Sequence, residues 1–466
     1  MRNAPLQAPT QWAQQEFALA RLGDQRRTQR LVKMAGSLAQ TPTGSLPEAF
    51  PAWKDLKAAY RLLDHLEFGP EQIQQPHRQR TLQVCRQPGE YLLIEDTTEL
   101  DYSSHRRTEQ LGPIGNERGR GLLLHSTLAV RVEAWGLDQQ PEGAAVGLLD
   151  QKSWARVTRG GPAGWRQRLR RPRESDRWAK VFEQTGRPPA GCQWIYLADR
   201  EADFYEPIER CQRQGVDFII RGYRDRRLAG GEEHLLARIQ EAAVRTGWTM
   251  ALRGRNGERD RTAAVSVRSC RVTLQGPWRP QGQQADVTVN VVELCEESPP
   301  PQTQPLHWIL LTSLPCERVA ELRRIVGCYQ KRWWIEHYHK ALKSGAGMEE
   351  SQLEAGFRIE NLLAVLAVLA VRLVNTQWLA RNRPDEPVSA ESFGTTALEL
   401  LNAKFEAPQG GWTNRTVLIA VAKLGGFLGR KHDGLPGWQT IWRGWHKLLL
   451  MCEGLETFRE HSKKCG

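Results

Sequence analysis

The chain has no long apolar run. Its longest, Leu362 to Val371, stops at Arg372, well short of the roughly 20 residues a membrane helix requires. The opening stretch, Met1 to Thr10, is polar and proline-containing and has no apolar centre of the secretory-signal kind. Together these exclude a membrane-spanning protein and predict a cytoplasmic one. Cysteine pairing is missing too. Nine cysteines, an odd number, stand at 85, 192, 211, 270, 295, 316, 328, 452 and 465 with no Cys-x-x-Cys spacing. That excludes a disulfide framework and a thiolate zinc site, and reads as a reduced chain with mostly buried thiols. No internal repeat is visible. Acid is scarce relative to base: 53 Asp and Glu against 65 Lys and Arg give a net charge of +12 and a pI near 9.4. Such a balance points to a polyanion, nucleic acid first, although charge alone leaves an unrelated basic enzyme open.

What is present is a globular composition, 40% hydrophobic and 25% charged over 466 residues, enough for two to four structural units. Seventeen tryptophans serve cores or face unstacked bases. Residues 1 to about 70 read as helical. Asp24 is placed to cap a helix from Gln25 to Leu38 whose Arg26, Arg30 and Lys33 share a side, and a second helix covers Trp53 to His65. Strand-like runs follow at Tyr91–Ile94, Leu122–Val132, Ala144–Leu149, Trp194–Ala198 and Asp217–Gly222. Residues 152–187 carry 11 Lys and Arg against 3 Asp and Glu, a local excess of 8, beginning as a glycine-rich loop and turning helical from Glu174. Period-two alternation at Ala264–Leu274 and Asp286–Leu294 predicts antiparallel strands in a β-rich insertion. One more strand at His307–Leu314, a long helix at Glu317–Lys343 and an apolar helix at 357–381 precede a helical, basic C-terminal part.

Two acids, Asp96 and Asp199, directly follow apolar strands, where a strand holds a side chain while a loop leaves it accessible. A third, Glu336, lies on the long helix. At 100° per residue Tyr329, Arg332, Glu336, Lys340 and Lys343 share one face. Three carboxylates suit hard divalent cations in phosphoryl transfer, with flanking Arg, Lys and Tyr holding phosphates. Read singly, each has an ordinary alternative. An Asp after a strand caps turns, and a Glu among Lys and Arg is commonly an exposed ion-pair ladder.

The spacing Tyr-x2-Arg-x3-Glu-x6-Lys from Tyr329 to Lys343, with Ile94-Glu95-Asp96-Thr97-Thr98 and Asp199-Arg200-Glu201-Ala202-Asp203, resembles the insertion-sequence-four family of bacterial transposases. Further likeness lies at Leu22 to Thr28 and Leu424 to Phe427. The resemblance implies an α/β fold, an RNase H-like catalytic core interrupted by a β-rich insertion, with helical N- and C-terminal domains. Its divisions fall at 1–70 (end-binding), 71–224 and 306–380 (catalytic core), 225–305 (insertion) and 381–466 (dimerisation). It further implies cut-and-paste transposition through DNA hairpins, with two Mg²⁺ or Mn²⁺ ions held by Asp96, Asp199 and Glu336. Tyr329, Arg332, Lys340 and Lys343 would grip phosphates, Trp308 would stack on a flipped base, and Arg26, Arg27 and Arg30 would contact the transposon end. Implied partners are double-stranded DNA, as inverted ends and target, and a second copy in a synaptic homodimer, in a cytoplasmic, nucleoid-associated setting. The likeness departs at Gln352, where the resemblance has arginine. An RNase H-like nuclease without strand transfer and a non-catalytic DNA-binding regulator are the competing readings.

Overall fold

The computed structural model describes residues 8–464 except 43, 116, 137–138, 158–173, 253–259, 302 and 431–432. Most of the basic loop predicted within 152–187 lies outside the described residues. No helix among those described is long and apolar enough to cross a membrane.

The N-terminal part consists of α1 (Pro9–Phe17), α2 (Gln25–Gln40), α3 (Leu46–Ala49), α4 (Trp53–Leu63) and α5 (Pro70–Cys85). As expected, Asp24 caps α2, its Oδ1 accepting the Arg26 N–H at 2.8 Å. Buried Leu31, Met34, Ala35 and Leu38 turn one side of α2 into the core. Polar contacts join this region to the rest. His77 Nε2 accepts the Leu148 N–H at 2.9 Å, and Asn361 donates to the Leu63 carbonyl at 3.0 Å.

A single large sheet follows. β1 (Gly89–Asp101), β2 (Gly112–Ile114), β3 (Gly119–Trp135) and β4 (Pro141–Trp154) are antiparallel neighbours, whereas β5 (Cys192–Ala198) and β6 (Asp217–Arg221) run parallel to β1. Between β4 and β5 lies α6 (Val181–Thr185), where a longer helix from Glu174 was expected; Glu174–Arg177 makes only a 3₁₀ turn. β5 passes through α7 (Tyr205–Gln214) to β6, with Gly215 ending α7 at φ +64°, a left-handed position that glycine takes without strain. After α8 (Leu235–Glu241) come β7 (Val244–Leu252), β8 (Arg261–Leu274), the short hairpin β9 (Trp278–Arg279) and β10 (Gly282–Gln283), and β11 (Val287–Glu296). The segment 225–305, expected as a β-rich insertion, is rich in strands. β7, β8 and β11 extend the main sheet through β12 (His307–Thr312), which pairs antiparallel with β6.

The sheet separates two apolar layers. Leu92, Ile94 and Leu197 face one shared with the N-terminal and C-terminal helices; Tyr91, Leu93 and Tyr196 face the other. Helices α9 (Val319–Gln330), α10 (Trp333–Lys340) and α11 (Gly356–Asn382) lie on the first side. α11 is buried on nearly all sides, from Ile359 through Val374, as a helix apolar all round must be. Helices α12 (Ala390–Phe393), α13 (Thr395–Lys404), α14 (Asn414–Leu424) and α15 (Trp438–Lys464) complete the chain.

Candidate active site

β1 is longer than its apolar run predicts, so Asp96 lies inside the strand instead of after it, opposite Ser126 of β3. It shares a face with Ile94. Asp199 directly follows β5, the next strand over. There it caps a 3₁₀ turn, its Oδ1 accepting the Glu201 N–H at 2.8 Å. Glu336 comes from α10 above the same face.

The expected continuous helix over Glu317–Lys343 is interrupted. Between α9 and α10 the hydrogen bonds tighten to i→i+3: Arg332 N–H to the Tyr329 carbonyl at 3.0 Å and Ile335 N–H to the Arg332 carbonyl at 3.2 Å. Past α10 the helix widens into a π turn at Ala341–Gly345. The even 100° rotation is thus interrupted twice along the motif, while Tyr329, Arg332 and Glu336 stay electrostatic neighbours. Tyr329 is buried, edge-on to Trp308 with ring centroids 4.9 Å apart. Lys343 pairs with Glu349 at 3.7 Å, and Lys340 is exposed.

Arg332 is the hub. Its guanidinium lies 3.5 Å from Asp96 Oδ2 and 2.5 Å from Glu336 Oε1, joining strand to helix. Asp96 is 9% exposed. Burial, then the charge of Asp199, push its carboxyl up to about 7; Arg332 and the Thr97 N–H pull the other way and Glu336 adds to the rise. Burial likewise works against the Arg332 charge, but Tyr329, Asp96, Glu336 and Asp199 together raise its pKa. The three acids are thus electrostatic neighbours carrying more negative charge than one guanidinium offsets. Their donor set, three hard oxygen ligands around a positive group, fits a divalent cation.

The acids are not drawn into a finished ligand cage. Among the described residues, the group of three His, Cys, Asp or Glu whose ligand atoms all lie within 4.8 Å of one another is Glu293, Cys295 and His307. There the Glu293 oxygens already meet His307 Nε2 at 3.0 Å and Arg268 Nη1 at 3.1 Å, so the cluster is satisfied as an ion pair.

Sequence reading missed the polar groups beneath Asp96. Glu95, on the other face of β1, accepts from Thr127 Oγ1 at 2.9 Å, Tyr196 Oη at 2.6 Å and the Ala179 N–H at 2.7 Å, with His125 Nε2 3.2 Å away. On the Asp96 face Gln151 donates to Tyr338 Oη at 2.6 Å and Ser126 Oγ at 3.1 Å. Only the adjacency of Glu95 to Asp96 hinted at the first network. In the N-terminal helices Arg26 and Arg30 are exposed, whereas Arg27 is partly buried and pairs with Glu67.

Three family models match successive parts of the chain: transposase DNA-binding at 9–67, transposase DDE domain at 186–372, and transposase Tn5 dimerisation domain at 371–465. The chain belongs to the Tn5-like DDE transposases. The DDE domain is accordingly RNase H-like, and the transposase is a metal-dependent enzyme of DNA cleavage and strand transfer that binds DNA and forms dimers. The matched DDE span contains Asp199 and Glu336; Asp96 precedes it and is brought to them by the pairing of β1 with β5.

Proposed function

We propose that Asp96, Asp199 and Glu336 hold two Mg²⁺ or Mn²⁺ ions and that this transposase works by cut-and-paste through hairpin ends. The carrying observation is the grouping of three acids from β1, the end of β5 and α10, two of them in contact with Arg332, with the Asp96 carboxyl raised by burial and Asp199. Divalent cations at such a site supply the Lewis acidity that activates water or a 3′-hydroxyl and stabilises the departing oxygen.

The chain's own groups do the positioning. Arg332, Lys340 and Lys343 hold backbone phosphates so that the attacked phosphorus lies in line with the nucleophile. The same constellation serves four displacements: water nicks one strand, the freed 3′-hydroxyl closes a hairpin, water reopens it, and the 3′-hydroxyl joins target DNA. Trp308 stacks on a base flipped out of the hairpin, which requires it and Tyr329 to part from their edge-on packing. Residues 1–70 grip the inverted end through Arg26, Arg27 and Arg30, 225–305 is the insertion, and 381–466 pairs two copies into a synaptic dimer in the bacterial nucleoid.

The test is Asp96→Ala in an assay using labelled DNA bearing the element's ends. Nicking, hairpin formation and joining should all fall by about a thousandfold or more, while salt-sensitive DNA binding persists. Retained cleavage would refute the assignment. Nicked ends without hairpins in the unaltered enzyme would refute the cut-and-paste route.

A further inference from the structure

We propose that Arg332 is a placeholder for the cations in the DNA-free transposase, and that a backbone phosphate of the bound DNA end withdraws it so that metal can load. The inference rests on the reading of Asp96, Asp199 and Glu336 as the metal-holding acids.

Arg332 stands between two of those acids, touching Asp96 Oδ2 and Glu336 Oε1. Its side chain is only 10% exposed. A guanidinium can offset carboxylate charge but offers only N–H donors; it cannot accept a pair of electrons as a metal does. It therefore stabilises the empty site without making it active. A cation entering this arrangement must displace it, and expelling a partly buried arginine into nothing is costly.

A DNA phosphate changes that balance. Arginine and phosphate pair through two parallel N–H···O bonds, so a phosphate at the mouth of the site gives Arg332 a new partner as the acids gain theirs. The route outward is short. Glu336, its closest partner, is 34% exposed, and the guanidinium already leans over the partly exposed Trp333 ring with its carbon 5.4 Å from the centroid. The local backbone is the i→i+3 turn between α9 and α10, so Arg332 is not locked inside a regular helix. Coupling of this kind is reciprocal: DNA tightens metal binding, and metal tightens DNA binding by the same factor. It would keep the free enzyme from loading metal before an end is in place.

The test measures Mn²⁺ binding directly, from the electron paramagnetic resonance signal of free Mn²⁺, with the full-length protein. The DNA probe is a pre-cleaved duplex of the element's terminal repeat ending in a 3′-dideoxynucleotide. Without DNA, Arg332→Ala and the stem-preserving Arg332→Met should bind Mn²⁺ at least tenfold more tightly than the unaltered protein. Adding the duplex should tighten the unaltered protein at least tenfold and leave both variants nearly unchanged. Equal affinity with and without DNA in the unaltered protein overturns the proposal even if neither variant folds, as does an undiminished DNA effect in a folded variant. Adding Asp96→Ala to Arg332→Met separates the two readings. Loss of tight binding there upholds the acid site whatever Arg332 does; retained tight binding means the metal is held elsewhere and the acid-site reading itself fails.

Discussion

Glu95 and Asp96 are consecutive acids on β1, both buried, and the two faces of the sheet treat them in opposite ways. Under Glu95 two hydroxyls and one backbone N–H donate to the carboxylate, and His125 stands beside it. Burial opposes its ionisation, but His125, Ala179 and Tyr196 outweigh burial and hold the carboxyl below its ordinary value. Above, Asp96 receives one backbone N–H and the Arg332 guanidinium at 3.5 Å while facing Asp199 and Glu336, and its carboxyl is driven up. The first acid is finished by the fold. The second is left short of positive charge, and that deficit is what a cation would fill. The contrast supports the role proposed for Asp96 and none for its buried neighbour Glu95.

The most severe way to break the contrast is Glu95→Gln. The amide keeps the size but removes the charge and turns one end into a donor facing other donors. Removing one partner from a buried charged network costs about 3–5 kcal/mol, so urea unfolding at neutral pH should show a loss of that order. A loss under about 1 kcal/mol would mean that the Glu95 face is no better satisfied than the other.

Asp96→Asn should do the reverse in metal-free buffer. The ordinary carboxyl value is 3.8 and the folded value about 7. Below 3.8 the group is protonated in both states and costs nothing. Above 7 it is ionised in both, and the fold bears the full penalty. The variant should therefore be more stable than the unaltered protein by about 2–4 kcal/mol at pH 8, with the gain shrinking as pH falls through 7 toward 4. Thermal unfolding of the pair across that range checks it; a gain that grows on acidification would reverse the assignment of strain.

How much of this was legible in the residues follows from what each element depends on. The Tyr91–Ile94 and Trp194–Ala198 runs had to be central strands because they are apolar on both faces, and their acids came with them. Asp24 could be read as a cap because capping is local. The helix was expected unbroken because its rule assumes even rotation, while the turn at Arg332 and the π turn at Ala341–Gly345 interrupt it. In the sequence Arg332 is one of several cations in a row; the fold places it between Asp96 and Glu336. The Glu95 network was out of reach for another reason. Its donors come from β3, β5 and Ala179, 32, 101 and 84 positions away, and nothing local predicts that meeting. The extension of one sheet by β7, β8 and β11 depends equally on distant pairing.

The finest test of the two-face contrast asks whether the Asp96 side is poor in polar partners altogether or only around the acids. Ser126, directly opposite Asp96, accepts from Gln151, which also reaches Tyr338 and receives a 2.8 Å bond from Gln74 Nε2. Burial, then the charges of Lys343, His125 and Arg332, keep the adjacent His339 neutral by lowering it to about 3, so no cation is hidden there. Neutral groups on this face are thus well satisfied, and the shortage is one of charge. Tyr338→Phe removes a single neutral hydroxyl from that chain while Gln151 Nε2 keeps Ser126 as a partner. The expected loss is about 1 kcal/mol, and it should be the same at pH 6 and pH 8, unlike the effect at Asp96. A pH-dependent loss would tie Tyr338 to the acids and move the boundary of the charge-poor region down to β3.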